Sequence, residues 1–327
     1  MKRELPNRPN LEHLKTQAKD LLDAHRNRDP GALQRIREAL PAFAGATDDQ
    51  IVAGPFALHD AQSVIAREYG FPSFAKLRAR VLFSEQPHPT ELIARLMGTP
   101  LPAELEAAIR EAFDARDLDA LDALPTPDEL AVVAVRNALV SPGALAPLAI
   151  GRPSSMAALH HATEKQQHLV ALFAQREQDV EQPTAADLHA TGCLAIVRKL
   201  LPTDEGPMWV VLEGVRWITL LELTLSEPFL RARVAVTEID EGESTEISAL
   251  DGELRDAARR LAQTLPQKDA ALAMIDAIVD PSRLSDLVIA NLPCSVAEKA
   301  AYAAEPVLAV RLRSTIAFLA RELAKAG

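Results

Sequence analysis

Cysteine is almost missing from this chain: Cys193 and Cys294 are the only two in 327 residues. That excludes a disulfide scaffold, and neither thiol has a Cys or His neighbour at the short spacing a zinc site needs. Both read as small buried hydrophobes. Long apolar runs are missing too. No stretch approaches the roughly 18 residues of a membrane span, and the opening MKRELPNRPNLEHLK lacks the apolar core of a secretory signal. A cytoplasmic protein with no membrane partner is expected. Basic charge is scarce: 35 Lys and Arg stand against 46 Asp and Glu, a formal net charge of −11. Only residues 1–83 are basic, with 13 cations against 10 anions, so nucleic acid is a disfavoured partner.

What is present divides into segments. Residues 1–83 read as an all-α N-terminal module. In LEHLKTQAKDLLDAHRN, Leu11, Leu14, Ala18, Leu21 and Leu22 recur at helical spacing. Asp29-Pro30 opens a second helix. ALHDAQSVIAREYG puts Ala57, Ala61, Val64, Ile65 and Tyr69 on one face, with Gly70 as a stop and Ser73 as the next cap. The stretch LHDAQSVIAREYGFPSFAKL resembles a short helical module of bacterial proteins, which implies no chemistry. Residues 84–127 form an acidic, partly helical connector, with EQPHPT as a linker and TELIARLMG and PAELEAAIREAFDARDLDALDAL as helices; its charge predicts a solvated segment.

After Pro127 the period changes. ELAVVAV, PLAI, LVALFAQR, GCLAIVRKLLP, MWVVLEG, VRWITLLELTL and FLRARVAVTEI read as strands. SPG (141–143) and TDEGP (203–207) are turns, and SSMAALHHATEKQQ is a helix capped by Ser154 or Ser155. EIDEGESTE (238–246) reads as a mobile, solvated loop. From about residue 245 the pattern is helical to the end. Sheet followed by a run of helices predicts an α+β architecture.

Residues 128–327 resemble the N-terminal substrate-binding domain of the ATP-dependent Lon protease family. The likeness is carried by Arg136-Asn137 with Pro142-Gly143, by PLAIGRPSSM, by FAQREQDVEQPTAADLHATGCLAIV, by VLEGVRW with SEPFLRARVAV, and by DPSRLSDLVIANLPCSVAEKAAYAAE, all in the family's order. The resemblance implies a PUA-like β-barrel subdomain over 128–243 and a C-terminal helical bundle over 244–327. It also implies a domain that binds polypeptide or positions partners rather than one that catalyses.

A complete Lon protease adds an ATPase and a serine–lysine peptidase. No glycine of this chain is followed by Lys, so a Walker A loop is missing; no serine sits in a context that suggests a peptidase nucleophile. A stand-alone, non-enzymatic recognition or adaptor protein is therefore expected, with no catalytic residue, cofactor or metal, and with unfolded or extended polypeptide or a protein partner as its target. The alternatives are a small-ligand protein or enzyme reusing the fold, or an RNA binder by PUA-like analogy. Oligomeric state is not legible. His160, His161, Glu164 and His168 could share a helical face, but a polar solvated surface is the favoured reading, as it is for His59-Asp60. Trp217 stands where the family often carries a basic or polar residue. Trp217, Phe229 and Arg231 are the candidate peptide-binding residues; against that stands a reading in which Trp217 and Phe229 fill the core and Arg231 pairs with Glu227.

Overall fold

The computed structural model describes residues 3, 5, 10–85, 101–115, 118–203, 206–265 and 268–326. The predicted linker EQPHPT and helix TELIARLMG lie outside the described residues, apart from Glu85. Two compact units emerge: Met1–His88 with Ala262–Val279, and Pro89–Leu261 with Asp280–Gly327.

The first unit is built from α1 (Leu11–Arg26), α2 (Pro30–Ala39), α3 (Asp48–Ala53), α4 (Leu58–Glu68) and α5 (Phe74–Glu85). Each start has a chemical reason. The Asn10 carboxamide accepts the His13 N–H, Asp29 accepts the Ala32 N–H ahead of Pro30, and Thr47 with Gln50 forms a reciprocal capping box. Leu14, Ala18 and Leu21 of α1 meet Leu33 and Ile36 of α2 and Val64 and Ile65 of α4 in one core. Gly70 ends the α4 segment with φ +83°. A helix from far along the chain, Lys268–Ala277, belongs to this unit: its Ala273 and Ala277 pack with Ala75 of α5, and Asp276 pairs with Arg78 at 3.5 Å.

The second unit opens with α6 (Ala103–Asp114) and α7 (Leu118–Asp122). The expectation of a solvated connector is corrected here. Leu105, Ala108, Ile109 and Ala112 bury one stripe of α6 in a cluster with Val211, while Glu104 and Glu111 keep the outer face in water. Acidity marked the outer face of the helix, and the apolar stripe decided its place.

Six strands follow: β1 (Glu129–Val135), β2 (Leu145–Ile150), β3 (Leu169–Ala174), β4 (Thr191–Leu201), β5 (Met208–Leu225) and β6 (Arg231–Val236). Their order is β2-β5-β4-β3-β1-β6, and β5 also pairs with β6. Five strands therefore close into a barrel, with β2 added on the outside of β5. The run ELAVVAV is apolar throughout because both faces of β1 are covered. Leu130, Val132 and Ala134 join Phe173, Leu194 and Ile218 in one cluster; Ala131, Val133 and Val135 join Leu159 and Ala162 of α8 (Pro153–Lys165) in the other. Neither Ser154 nor Ser155 caps α8: Arg152 takes that position, with Pro153 as the first helical residue.

MWVVLEG and VRWITLLELTL prove to be one 18-residue strand. Gly214 does not break it. It lets the Ser141 carbonyl approach so closely that a Cβ would lie 2.1 Å away, and it exchanges hydrogen bonds with Gly143 and Ala144 at 2.9 Å each. Glu213 beside it is fully buried and takes the Arg198 guanidinium through Nε at 2.9 Å and Nη2 at 2.6 Å.

Helices close the unit: α9 (Ser244–Ala262), α11 (Pro281–Asn291), α12 (Val296–Ala304) and α13 (Leu308–Ala326), with Lys268–Ala277 counted as α10. The acidic loop before α9 is anchored where a mobile one was expected. Asp240 donates its N–H to Pro306 O at 2.8 Å and accepts from Leu308 N at 3.0 Å, and Glu246 pairs with Arg313. Among the described residues no helix is long and apolar enough to cross a membrane.

Candidate functional site

The two tryptophans have different fates. Trp209 is half-buried in the α6 cluster. Trp217 is 3% exposed and lies against α11–α13, so its ring does not face outward as a peptide anchor would. A buried indole needs an acceptor for its N–H. Trp217 Nε1 donates to Asp286 Oδ1 at 2.9 Å, and its ring meets Tyr302 edge-on at 6.5 Å. Phe229 packs in the barrel's outer core beside His161, with ring centroids 4.9 Å apart. Arg231 pairs with Glu129 at 2.7 Å, in place of the Glu227 considered from sequence. The three candidates do not share one exposed face.

Around Asp286 a polar network joins barrel to helices. The Tyr302 hydroxyl lies 2.8 Å from both Asp286 Oδ1 and Ser285 Oγ, and Ser285 lies 2.7 Å from the Thr315 hydroxyl. Arg311, fully buried on α13, donates to the carbonyls of Glu305 (2.6 Å) and Ala303 (2.8 Å), and its guanidinium sits 5.3 Å from the Tyr302 ring centroid. Burial pushes the Asp286 carboxyl up to about 6, against the pull of Trp217, Tyr302 and Arg311. Burial also pushes Tyr302 and the neighbouring Cys193 thiol well up.

Asp286 lines a cleft of about 250 Å³ in this unit. One wall is Val215–Trp217 of β5, another Val236 at the end of β6 with Thr237 and Ile239 after it, and a third the start of α11 with Asp280 and Arg283. Two arginines of the rim are committed. Arg216 donates to the carbonyls of Asp122 (2.8 Å) and Leu124 (2.7 Å) and to Thr126 Oγ1 (3.2 Å), while Arg283 pairs with Asp122 at 2.7 Å.

Beyond the cleft-lining Val215–Trp217, β5 runs on to Leu225. Its ladder with β4 ends at Thr191↔Thr219. Among the described residues, Leu221–Leu225 pair with β6 only, through a register shifted at two bulges. This stretch is an open strand edge, and Leu221 stands 59% exposed on it. Val236 connects the two features: it pairs with Ile218 in the hairpin and lines the cleft, 48% exposed.

Sequence reasoning missed Asp286, Tyr302, Arg311 and the Glu213–Arg198 pair. Trp217 carried the one usable signal, since a buried indole implies an acceptor without naming it. The histidine cluster does not assemble: α8 ends at Lys165, so His168 lies beyond the helix at φ +67°. No group of three or more potential metal ligands exists among the described residues. His59 Nε2 lies 3.2 Å from Asp60 Oδ1 on the surface, and the other Asp60 oxygen accepts the Ala57 N–H at the start of α4.

The raised Asp286 value predicts a pH signature. The folded state holds its proton more tightly than the unfolded chain does, so the stability it contributes is full below about pH 3.8 and is lost as pH rises through 6. Asp286→Asn keeps an acceptor and removes the titration. The stability of wild type relative to D286N should fall by about 3 kcal/mol from acid to neutral pH, at about 1.4 kcal/mol per unit. Urea titrations read by tryptophan fluorescence at several pH values check this; a flat difference would show that Asp286 is not desolvated.

Residues 129–321 match the family described as ATP-dependent protease La (LON) substrate-binding domain. Lon protease 2 of Myxococcus xanthus is 32% identical over 198 residues, 60% of this chain and 24% of that protein. Lon protease of Anaeromyxobacter dehalogenans is 31% identical over 198 residues, 60% of this chain and 23% of that one. The chain thus spans about a quarter of the length of these relatives. Among solved structures, the N-terminal domain of Mycobacterium avium complex Lon protease aligns with 59% of this chain and 98% of its own, at TM-score 0.48 and 21% identity. With that family model matched over more than half of its length, the chain belongs to the Lon substrate-binding domain family.

Proposed function

We propose that this chain is a non-catalytic polypeptide-recognition protein, an adaptor of cytoplasmic type that holds unfolded or extended segments. The observation that carries the reading is the open edge of β5 over Leu221–Leu225, in a chain whose family is named for substrate binding. An extended client adds a strand there, with main-chain hydrogen bonds for affinity and flanking side chains for selectivity. The two bulges twist the edge, which limits long ladders and suits a short, reversible contact. Trp217, Phe229 and Arg231, read from sequence as client contacts, serve this reading indirectly, by fixing the hairpin on the barrel. The helical module of residues 1–83 brings a second partner.

Charge and size support recognition over the alternatives. Residues 128–327 carry 19 basic and 27 acidic side chains, a poor match to RNA. A cleft of about 250 Å³ is smaller than the roughly 300–1,000 Å³ pockets that enclose small molecules and cofactors, so it suits a side chain. The test is a titration of the full chain with a labelled, reduced and carboxymethylated protein, followed by fluorescence anisotropy. Saturable binding at tens of micromolar or tighter, without added nucleotide, is expected. No association in that range would end this reading.

A further inference from the structure

The cleft beside Val236 is lined by a carboxylate with one uncommitted oxygen among the described residues. Arg216 is spent on backbone carbonyls and Thr126, and Arg283 is paired with Asp122. On the acidic side, Asp286 takes both the Trp217 and Tyr302 contacts on Oδ1, and Asp280 uses Oδ1 to cap the Ser282 N–H. Asp286 is only 6% exposed, yet it lines the cleft. A carboxylate lining a small cleft, with no protein hydrogen bond given to its second oxygen, offers a charge-assisted contact to a cation that enters the cleft. The walls toward the mouth are apolar: Trp217, Val236 and Ile239. An aliphatic stem against those walls with a charged head on a carboxylate is the build of a lysine or arginine side chain.

We infer that this cleft receives a basic side chain of the bound polypeptide, with its cationic head on Asp286 and its stem along Trp217 and Val236. The inference rests on the polypeptide-binding reading and deepens it, because Val236 ties the cleft to the hairpin that carries the open edge. A client strand on β5 and one arginine in the cleft make a two-part recognition: backbone by the edge, side-chain charge by the cleft. The groups that face Asp286 are Arg311 from α13, Tyr302 from α12, Cys193 from β4, Trp217 from β5 and Asp280 from the start of its own helix. Arg311 donates to two carbonyls through Nε and Nη2, its buried Nη1 has no hydrogen-bond partner among the described residues, and it favours the ionised carboxylate without lining the cleft. Because Asp286 titrates near 6, the cation is held more tightly at neutral than at acid pH.

The probe is an acetylated, amidated Ala-Arg-Ala peptide, with the citrulline peptide as a neutral isostere. Binding is read on the full chain from the Trp217 indole N–H resonance. The arginine peptide should shift that resonance saturably at millimolar concentration or below, and citrulline should not. D286N should weaken the arginine peptide about tenfold, and lowering the pH to about 5 should weaken it by a similar factor. Because D286N also touches the core network, a second variant is used: Val236→Trp, at an exposed position, should block the mouth and abolish binding in a folded protein. Equal binding of citrulline, or no shift with either peptide, overturns the inference. If the arginine peptide is silent while unfolded client still binds the wild type, only the cleft assignment falls; if neither binds, the underlying reading falls as well.

Discussion

Arg311→Ala should cost the barrel-and-helix unit about 3–5 kcal/mol. Arg311 is fully buried, and three losses coincide when it is cut back. The carbonyls of Ala303 and Glu305 at the end of α12 lose their donors in a dry site. The Tyr302 ring loses the guanidinium above it. Asp286 loses the cation that favours its ionised form, so its pKa should climb further. Arg311→Lys keeps the charge but cannot reach both carbonyls with one planar fork, so it should fall between wild type and alanine. Both tryptophans lie on β5, so fluorescence during urea unfolding reports this unit selectively. A loss below about 1 kcal/mol for R311A would mean that the site is wetter than described.

Gly214→Ala is the second severe change, expected at about 3 kcal/mol or more. The added Cβ would meet the Ser141 carbonyl oxygen at 2.1 Å. Backbone cannot rotate away as a side-chain tip can, so either the 141–144 turn or strand β5 must move. The matched control is Gly252→Ala inside α9, where a new Cβ meets nothing within 4 Å. That change should stabilise by roughly 0.5–1 kcal/mol through helix propensity alone. If both alanines behave alike in chemical denaturation, close backbone approach is not what Gly214 provides.

These two residues show what could be read from sequence. Gly214 sat inside a recognisable Glu-Gly motif, but the motif suggested a break between strands because glycine usually punctuates one. Only the neighbouring turn, distant in sequence, shows that it permits a close approach. Arg311 sits on a helix among apolar residues, and nothing local in the sequence marks it as buried; its burial depends on carbonyls at the end of the preceding helix and a carboxylate 25 positions upstream. Strand and helix order from residue 129 onward was legible because alternation and caps are local. ELAVVAV, for example, is β1 residue for residue. The fate of Lys268–Ala277 was not legible: its helical pattern is local, while its place against α5 depends on Ala75 and Arg78, some two hundred residues away. The sequence leaves Trp217 open between a binding aromatic and a core filler, since period two gives a face but does not say which helix covers it.

The central claim is that the open edge of β5 holds extended polypeptide. Backbone hydrogen exchange of Leu221–Leu225, with and without saturating unfolded client, tests it most directly. The account predicts that these amides slow markedly in the complex while those of the buried strand β3 do not change. Client bound to saturation with Leu221–Leu225 exchanging as fast as in the free protein would contradict it.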